Sequence, residues 1–373
     1  MTPRLTDSAW YNNRPPEPIT VKWRRWLGRW RSAIVRFSER RAGGTNLYDW
    51  LVTDFDCVAH LASVAEAIES AKCIEDARVE RPLSPLPGVA LPASHAVRSA
   101  VWSYQFRYPR VHVEQGLVQL PSGHAFMGSD GVMQAILVRG GLAQEAADLS
   151  TQLKSTEGHW TIVPATRYYY HHIVDGLLPL VKAIRLDPSV SIAVAPRQPD
   201  WFYEAISAVA PGKTLNQVKV LNPETLLWVD RSLPDSSDVQ LLRSRVSIRE
   251  ETISHGVLFV TRKGFARFED ESENQIRQEL KGLISVEVDP AELDFVEQVR
   301  LFSSASVIVG AHGGGLTNMI WASNCKLVVE VFGEYYRGRQ YSALARACGI
   351  EYRALVPRDI EGLRQEVLRA MPI

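Results

Sequence analysis

Residues 305–332 constrain the fold more than any other segment, because a strand, a glycine-rich turn, a helix and a second strand follow one another there. The apolar run Val307–Val309 leads into glycines at four of the six positions 310–315. A helix is predicted at Leu316–Ala322, and a second apolar run covers Leu327–Phe332. Buried strands that alternate with short helices are typical of parallel sheets with helices on both faces. The segment therefore predicts an α/β fold.

The same alternation continues on the N-terminal side of this segment. In the second half the further predicted strands are Val257–Thr261 and Ser285–Val288, with helices at Glu273–Leu283 and Leu293–Ser304. In the first half the predicted strands are Val111–Gln119, Met133–Arg139, Trp160–Pro164, Ser191–Ala195, Val218–Leu221 and Leu226–Val229, with helices at Gln144–Lys154, Ile173–Leu186 and Trp201–Val209. The turn-rich Pro234–Asp238 separates two α/β halves, so we expect domains at residues 45–236 and 237–373.

Charge is distributed unevenly along the chain. The 373 residues carry 42 basic and 42 acidic side chains, but residues 1–44 hold ten basic side chains, three acidic ones and four of the ten tryptophans. The first 44 residues therefore carry a formal charge of +7 and the remainder carries −7. This asymmetry separates a basic, Trp-rich arm from a mildly acidic body.

Within the arm, Val21–Arg41 places Trp23, Trp26 and Trp30 on one face of a predicted amphipathic helix, with Arg and Lys on the rest. Trp side chains favour the headgroup boundary and cations are attracted to anionic lipid. Residues 21–41 are therefore predicted to lie on an anionic membrane surface. The alternatives are packing of the Trp face on the body and stacking of nucleic-acid bases, although we expect no nucleic-acid partner.

Features of the whole chain predict its location. The N-terminus lacks the basic and apolar regions of a signal peptide, and the chain has no uncharged apolar run of about 18 residues. The four cysteines show no CxxC spacing, which argues against a zinc ribbon or a disulfide framework. Together with the arm, these features predict a cytoplasmic protein held peripherally at the inner face of the cell membrane.

The glycine-rich loop is a candidate phosphate site, because glycine lets a ligand approach the backbone and a helix N-terminus offers N–H groups to phosphate. Three known loop motifs nevertheless fail. The Walker loop needs Lys where Leu316 stands, and the dinucleotide fingerprint lacks its third glycine at Asn318. The HGGG element of esterases, which would begin at His312, requires a GxSxG that the chain lacks. A tight strand-to-helix turn without a ligand is the structural alternative.

The order of residues from Glu297 to Met319, EQVRLFSSASVIVGAHGGGLTNM, resembles the signature of family 61 glycosyltransferases. Further matches lie at Tyr169–Leu177, where the family has an aromatic-His-Trp-x-x-acidic segment, at Val260–Arg262 with Arg267, at Glu330 and at Tyr341–Tyr352. The resemblance covers roughly residues 160–355. His172 replaces the usual Trp, and the Pro that follows the acidic residue is displaced to Pro179.

The resemblance implies a GT-B architecture, in which two Rossmann-like domains face each other across a cleft, and sugar transfer from a nucleotide sugar with inversion at the anomeric carbon. The residues then expected to bind the donor are Arg262, His312, Gly313, Gly314, Gly315, Thr317, Asn318 and Glu330. The loop and the helix start would hold the diphosphate, and Arg262 would add positive charge. Glu330 would accept hydrogen bonds from the ribose hydroxyls.

Asp175 and His171 are the candidate catalytic residues, because they lie four positions apart and so on one face of a helix. A carboxylate can orient an imidazole, or can itself act as a base once it is buried. We expect Asp175 to deprotonate the acceptor hydroxyl, with His171 as the next candidate. A helix-capping or core role for His171 and His172 is the alternative.

Asp54-Phe55-Asp56 has the DxD letters that hold Mn²⁺ or Mg²⁺ in other sugar-transferring enzymes, but it lies in a helical pattern outside the matched region. With Arg262 and helix N–H groups available for the diphosphate, no metal or other cofactor is predicted to be obligatory. The predicted function is an inverting glycosyltransferase that acts on a glycan or glycolipid in surface polysaccharide biosynthesis. The alternatives are a non-catalytic nucleotide- or nucleic-acid-binding protein and a dinucleotide-dependent oxidoreductase.

Overall fold

The computed structural model describes residues 71–75, 78–79, 97–98, 101–114, 116–119, 125–126, 155–166, 168–230, 233–246, 255–262, 270–332, 339–356 and 360–371. The predicted arm at residues 1–44, the Asp54–Asp56 motif, Arg267, the strand Met133–Arg139 and the helix Gln144–Lys154 lie outside the described residues. Of the helices in these ranges, none combines the length and the apolar character needed to cross a membrane.

Strands and helices alternate from residue 156 onwards, except between Leu215 and Val229, where three strands follow one another. The strands are β1 (Ala71–Glu75), β2 (Arg78–Val79), β3 (Val97–Arg98), β4 (Val101–Arg107), β5 (Arg110–His112), β6 (Leu117–Gln119), β7 (Ala125–Phe126), β8 (Thr156–Val163), β9 (Ser191–Val194), β10 (Leu215–Gln217), β11 (Val220–Leu221), β12 (Pro223–Val229), β13 (His255–Val260), β14 (Ile284–Val288), β15 (Ala305–Ala311), β16 (Leu327–Val331) and β17 (Glu351–Leu355). The α-helices are α1 (Tyr169–His171), α2 (Leu178–Leu186), α3 (Asp200–Val209), α4 (Ser236–Arg245), α5 (Asp270–Glu279), α6 (Phe295–Ser303), α7 (Gln340–Cys348) and α8 (Leu363–Ala370). A π-helical turn (His172–Leu177) joins α1 to α2, and 3₁₀-helices lie at Pro290–Glu292 and Gly314–Trp321.

The first large sheet combines parallel and antiparallel strands in the order β1-β4-β12-β8-β9-β10. β12, β8, β9 and β10 run parallel, whereas β4 pairs antiparallel with β12 and β1 pairs antiparallel with β4. The sheet therefore differs from the Rossmann-like sheet predicted for residues 45–236, because an antiparallel pair extends it beyond β12. Antiparallel strands at the edge of a parallel sheet are common in α/β proteins.

A small antiparallel sheet, β11-β5-β6-β7, lies beside the first large sheet. The sequence predicts one strand over Val111–Gln119, but the structure has β5 and β6 joined by a turn. The Gly116 N–H donates to the Val113 carbonyl at 3.3 Å, and Gly116 has a φ of +63°. Glycine adopts this left-handed conformation without a steric penalty, so the chain reverses at this point.

The second large sheet is parallel, with the order β14-β13-β15-β16-β17, which confirms the parallel sheet predicted for the second half. β14 lies on one side of β13, and β15, β16 and β17 follow on the other side. The direction of the strand order therefore reverses between β13 and β15. In open α/β sheets, ligands bind outside the carboxyl ends of the strands at such a reversal.

The loop after β15 enters a 3₁₀-helix at Gly314–Trp321 instead of the predicted α-helix at Leu316–Ala322. Gly313 precedes it in an extended conformation, with φ 168° and ψ 171°. Each glycine lowers α-helical stability by about 1 kcal/mol relative to Ala, and two glycines open this helix. 3₁₀-helices longer than about three to four residues are uncommon, so this eight-residue run is an unusual element at the glycine-rich loop.

Apolar side chains alternate between the two faces of each large sheet. In β9, Val194 faces the centre of the molecule and Ala193 faces the small sheet. In β13, Val260 faces the centre and Phe259 faces the side that α5 and α8 cover. Side chains of α2, α3, α4, α6 and α7 join the same central cluster. We call these five helices the central helical layer, and it packs against both large sheets.

A buried ion network connects the central helical layer to β1. Lys182 of α2 is 2% exposed, and its Nζ lies 2.9 Å from Glu75 of β1 and 2.8 Å from Asp238 of α4. Arg243 of α4 donates from Nε to the carbonyl of Ile320 at 2.6 Å. Helix α4, in which the predicted domain boundary at 236/237 falls, therefore contacts both halves of the chain.

Candidate functional site

The candidate donor-binding residues follow the strands at the reversal of the second sheet. Arg262 comes two residues after the end of β13, and His312 and Gly313 come directly after β15. Glu330 lies in β16, where it pairs in register with Gly310 of β15. Because parallel strands end at the same edge, the structure brings these sequence-predicted residues together.

Arg262 lies across the glycine-rich loop. Its Nη1 donates to the carbonyl of His312, and its backbone N–H donates to Glu273 Oε1 at 2.8 Å. A Cβ added to Gly313 would lie 2.6 Å from Nε of Arg262. Glycine at this position therefore lets the guanidinium approach the backbone of the loop.

The next two glycines also admit protein groups. A Cβ on Gly314 would lie 3.1 Å from Cβ of Tyr169, and a Cβ on Gly315 would lie 2.8 Å from Cγ1 of Val260. Tyr169 belongs to α1, so Gly314 is the place where the first half of the chain touches the loop. Binding of a diphosphate by Gly313–Gly315 stays a prediction, to which the structure adds a packing role for each glycine.

Glu330 is fully buried, and both of its carboxylate oxygens are occupied within the protein. Oε1 pairs with Nδ1 of His312, and Oε2 accepts a hydrogen bond from the Tyr352 hydroxyl. Burial, and secondarily the neighbouring Glu330 charge, raises the pKa of Tyr352 well above its usual value, so the phenol stays protonated and donates. The carboxylate therefore fixes the orientation of the His312 ring.

His312 is held from several further directions. Its ring stacks on Phe332 at a centroid distance of 5.4 Å and meets the ring of Tyr341 edge-on at 5.3 Å. Nε2 of Gln340 lies 3.5 Å from Nε2 of His312. The imidazole is thus a preorganised group, and 16% of its side chain is exposed.

Thr317 and Asn318 are both fully buried in the 3₁₀-helix. Asn318 accepts a hydrogen bond from the Tyr169 hydroxyl at 2.6 Å and donates one to Gln298 Oε1 at 2.9 Å. Burial raises the pKa of Tyr169 far above its usual value, which keeps this phenol a donor. Asn318 therefore joins α1 to α6, whereas the buried Thr317 hydroxyl has no hydrogen-bond partner.

His171 and Asp175 form the pair that the sequence predicts. Nδ1 of His171 lies 2.5 Å from Oδ2 of Asp175, and the side chains are 26% and 11% exposed, respectively. Asp175 lies in the π-helical turn, and His171 is the last residue of α1. Such widened turns occur frequently at functional sites. Because His171 is the more exposed partner, Asp175 is placed to orient the ring.

His172, by contrast, has the core role that was the alternative for both histidines. It is 2% exposed, its Nδ1 lies 3.0 Å from the carbonyl of Tyr168, and its ring meets Phe202 at 4.4 Å. Burial is the main cause that lowers the pKa of His172, so the ring is neutral near pH 7. His172 therefore stabilises the start of the helix.

A row of aromatic rings joins the two histidine–carboxylate pairs. Tyr170 meets His171 edge-on at 5.5 Å and Tyr341 at 5.8 Å, and Tyr341 in turn meets His312 at 5.3 Å. His171 follows the carboxyl end of β8 and His312 follows that of β15. The carboxyl edges of the two large sheets thus meet at one site.

Sequence reasoning gave no individual role to Tyr352, Tyr341 or Gln340. They come from α7 and β17, and they meet His312 and Glu330 only because β16 and β17 pair in parallel. The resemblance at Tyr341–Tyr352 was the one signal that marked Tyr341 and Tyr352, and it did not include Gln340.

The described residues do offer one acidic group in which a cation would fit by distance, Glu75 with Asp235 and Asp238. The Lys182 ammonium already neutralises two of these carboxylates at 2.9 and 2.8 Å. This group is accordingly part of the ion network between β1, α2 and α4. It belongs to neither histidine–carboxylate pair.

Comparisons with known proteins agree with the sequence resemblance. Residues 169–329 match the sequence model of the family described as Glycosyltransferase 61. The chain is 34% identical over 65 residues to beta-1,2-xylosyltransferase RCN11 of Oryza sativa subsp. japonica and, to the same degree, to a beta-1,2-xylosyltransferase of Arabidopsis thaliana; each match covers 17% of this chain and 12% of the relative. It is 31% identical over 86 residues to the EGF domain-specific O-linked N-acetylglucosamine transferase of Gallus gallus, covering 22% of this chain and 16% of the relative. The matches thus span less than a fifth of each relative.

Proposed function

We propose that this chain is an inverting glycosyltransferase of family 61, the family that residues 169–329 match. It moves a sugar from a nucleotide sugar to a hydroxyl of a glycan or glycolipid acceptor. The observation that carries the proposal is the meeting of two histidine–carboxylate pairs at the carboxyl edges of two α/β sheets. The xylosyl and N-acetylglucosaminyl transfer named for the relatives puts both a pentose and a hexosamine among the donors to test.

His171 is assigned the proton-accepting role in this reaction. Its Nδ1 is engaged by Asp175 at 2.5 Å, so Nε2 is the atom for the acceptor hydroxyl. The acceptor oxygen forms a bond to the anomeric carbon as its proton passes to Nε2, and the bond from that carbon to the diphosphate oxygen breaks. Asp175 stabilises the imidazolium that results. This assignment reverses the order in which the sequence ranked the two residues.

Arg262 and His312 are assigned to the departing nucleoside diphosphate. Negative charge grows on that group as the bond breaks, and fixed positive or donor groups stabilise it. The Arg262 guanidinium is held against Gly313, and the His312 ring is held by Glu330. Both groups are therefore in place before the reaction begins. Glu330 acts through His312, because its own oxygens are occupied.

The two large sheets would then correspond to the two domains of a GT-B architecture, with the nucleotide bound at the reversal between β13 and β15. The parallel order of the second sheet supports this placement. The contact between Tyr169 and the glycine loop would then place the acceptor-binding residues of the first sheet next to the donor-binding residues of the second.

Calorimetric titration with UDP-, GDP- and CMP-sugars tests the proposal. We expect one class of donor to bind, and Arg262→Ala to weaken binding by about 10- to 100-fold, because hydrogen bonds to charged groups contribute about 1.5–3 kcal/mol. Arg353→Ala is the matched control, since Arg353 forms its ion pairs with Glu351 and Glu366 on β17 and α8. Binding of NADH without binding of any nucleotide sugar would contradict the proposal.

We further propose that no metal ion is obligatory, because Arg262 and the first N–H groups of the 3₁₀-helix supply positive potential at the loop. Transfer is then expected to survive EDTA at full rate. A lasting loss of transfer on chelation, restored by Mn²⁺, would refute this part of the proposal.

The acceptor and the location rest on the arm. We propose that residues 21–41 hold the protein on an anionic membrane surface at the cytoplasmic face, where surface polysaccharides and glycolipids are assembled. Removal of residues 1–44 is expected to abolish flotation with vesicles containing phosphatidylglycerol while donor affinity is unchanged. Equal flotation of the shortened and full-length chains would show that the arm has another role.

A further inference from the structure

Tyr168 is a strongly exposed aromatic residue next to the proposed proton acceptor. Tyr168 is 65% exposed, although it immediately precedes the partly buried Tyr169 and the buried Tyr170 of α1. An exposed tyrosine leaves an apolar ring in contact with water, which costs free energy unless a ligand covers the ring. Single exposed aromatic residues are common, so position and rigidity must decide whether this one has a role.

The backbone of Tyr168 is fixed by groups that surround it. Its carbonyl accepts hydrogen bonds from the His172 backbone N–H at 3.2 Å and from the Thr166 hydroxyl at 3.3 Å, and it lies 3.0 Å from Nδ1 of His172. His172 is itself 2% exposed and packs against both Trp201 and Phe202. The exposed ring is therefore carried on a rigid support, which lowers the entropy cost of binding against it.

The Tyr168 ring stands beside the proton acceptor. Its centroid is 6.0 Å from that of His171, and the two rings are inclined by 56°. Packed ring pairs have centroids about 4.5–7 Å apart, so a sugar whose hydroxyl reaches Nε2 of His171 is close enough to pack its own ring on Tyr168. The sugar that carries this hydroxyl thus comes to lie over the tyrosine.

We propose that Tyr168 is the platform for the acceptor sugar, whose C–H face packs on the tyrosine ring while its hydroxyl points to His171. This inference rests on the proposed function and adds the substrate contact that selects a sugar ring as acceptor. The occupant is the acceptor and not the donor, because Arg262 and His312 follow strands of the second sheet, whereas Tyr168 follows β8 of the first.

Steady-state kinetics of Tyr168→Ala, Tyr168→Phe and wild type, with the best donor and a panel of methyl glycosides as acceptors, test the platform. We expect Tyr168→Ala to raise the KM for the acceptor about tenfold while the donor KM and the rate of donor hydrolysis change less than about twofold. Tyr168→Phe keeps the ring and is expected to stay within about threefold of wild type. Tyr108→Ala is the matched control, since Tyr108 is 55% exposed and lies between β4 and β5.

Saturation-transfer NMR on the same methyl glycosides, with the nucleoside diphosphate present, gives a readout that does not depend on turnover. Contact of the sugar C–H protons with wild type, lost in Tyr168→Ala and kept in Tyr168→Phe, is the expected result. An unchanged acceptor KM in Tyr168→Ala, or no bound glycoside in wild type, would overturn the platform. If wild type binds and hydrolyses no nucleotide sugar, it is the proposed function itself that fails.

Discussion

The two histidine–carboxylate pairs of the site differ in how far they are closed off from water. In the His171–Asp175 pair both side chains keep some exposure, 26% and 11%. In the His312–Glu330 pair the carboxylate is fully buried and a second partner, Tyr352, occupies its other oxygen. We refer to them as the open pair and the closed pair.

The same two functional groups, an imidazole and a carboxylate, therefore have different roles depending on how deeply they are buried. A proton acceptor must be reached by its substrate, so the open pair is suited to proton transfer. A buried carboxylate with both oxygens occupied is suited to holding a ring still. Variants of the open pair should therefore affect chemistry, and variants of the closed pair should affect stability first.

The largest effect is expected from His171→Asn in the open pair. Loss of the proton acceptor should lower the transfer rate by about 10²- to 10⁴-fold, the usual contribution of a general base, and leave the donor Kd within about twofold. His159→Asn is the matched control, because His159 pairs with Asp187 at 2.7 Å and is 49% exposed on its side chain. A transfer rate that falls equally in both variants would remove the basis for the assignment.

In the closed pair, Glu330→Gln should destabilise the fold by about 1–3 kcal/mol, because a neutral amide replaces the charge-assisted hydrogen bonds of the carboxylate and His312 has to present Nδ1 as an acceptor to the amide NH₂. Asp175→Asn should destabilise less, since water reaches the open pair. The midpoints of urea unfolding of the two variants measure the difference. A larger shift for Asp175→Asn would contradict the prediction that the closed pair contributes more to stability than the open pair.

Gly313→Ala tests the support of Arg262. The added methyl would lie 2.6 Å from Nε of Arg262, so the guanidinium has to move, and we expect the donor Kd to rise by about three- to tenfold. Gly310→Ala provides a contrast, because its methyl would meet the backbone carbonyl of Val260 at 3.0 Å inside the sheet. That variant should lose stability and keep its donor affinity at temperatures where it is folded. An unchanged donor Kd in Gly313→Ala would mean that Arg262 does not bind the donor.

The smallest expected effect is a pH dependence of the unfolding free energy, and it comes from His172, which belongs to neither pair. Burial lowers the pKa of His172 below its ordinary 6.5, so the folded state holds this ring neutral while the unfolded state takes up a proton as the pH falls below 6.5. The stability that His172 contributes is present above that pH and decreases below it, by at most about 1.4 kcal/mol per pH unit. His172→Gln should flatten the curve of unfolding free energy just below pH 6.5, by at most this slope. Curves of equal slope would show that other groups cause the acid sensitivity.

Much of the second half, and the His171–Asp175 pair of the first half, could be predicted from the sequence because their signals are local. Apolar runs such as Val307–Val309 mark strands that are buried on both faces, and four residues of separation on a helix are enough to pair His171 with Asp175. The family resemblance added Arg262 and His312, which a parallel sheet then brings to one edge. These predictions needed no knowledge of strand order.

The remainder depended on pairings between distant segments. The bond between Glu330 and Tyr352 requires β17 to lie next to β16, and the antiparallel pairing of β4 with β12 joins residues more than a hundred positions apart. His172 is buried against Trp201 and Phe202 of α3, a contact that the spacing of apolar residues did not predict. The sequence did not single out Tyr168, because the exposure of a tyrosine depends on the fold around it.

The central helical layer determines whether the two halves of the chain can fold as separate fragments. It closes the apolar inner faces of both large sheets, and Asp238 of α4, just after the predicted boundary, pairs with the buried Lys182 of the first half at 2.8 Å. Fragments cut after residue 236 would each carry an uncovered apolar surface. We expect neither fragment to fold alone. Co-expression of the two fragments should restore the folded protein by complementation. Each half has its own large sheet, but each is stabilised by its contacts with the other half.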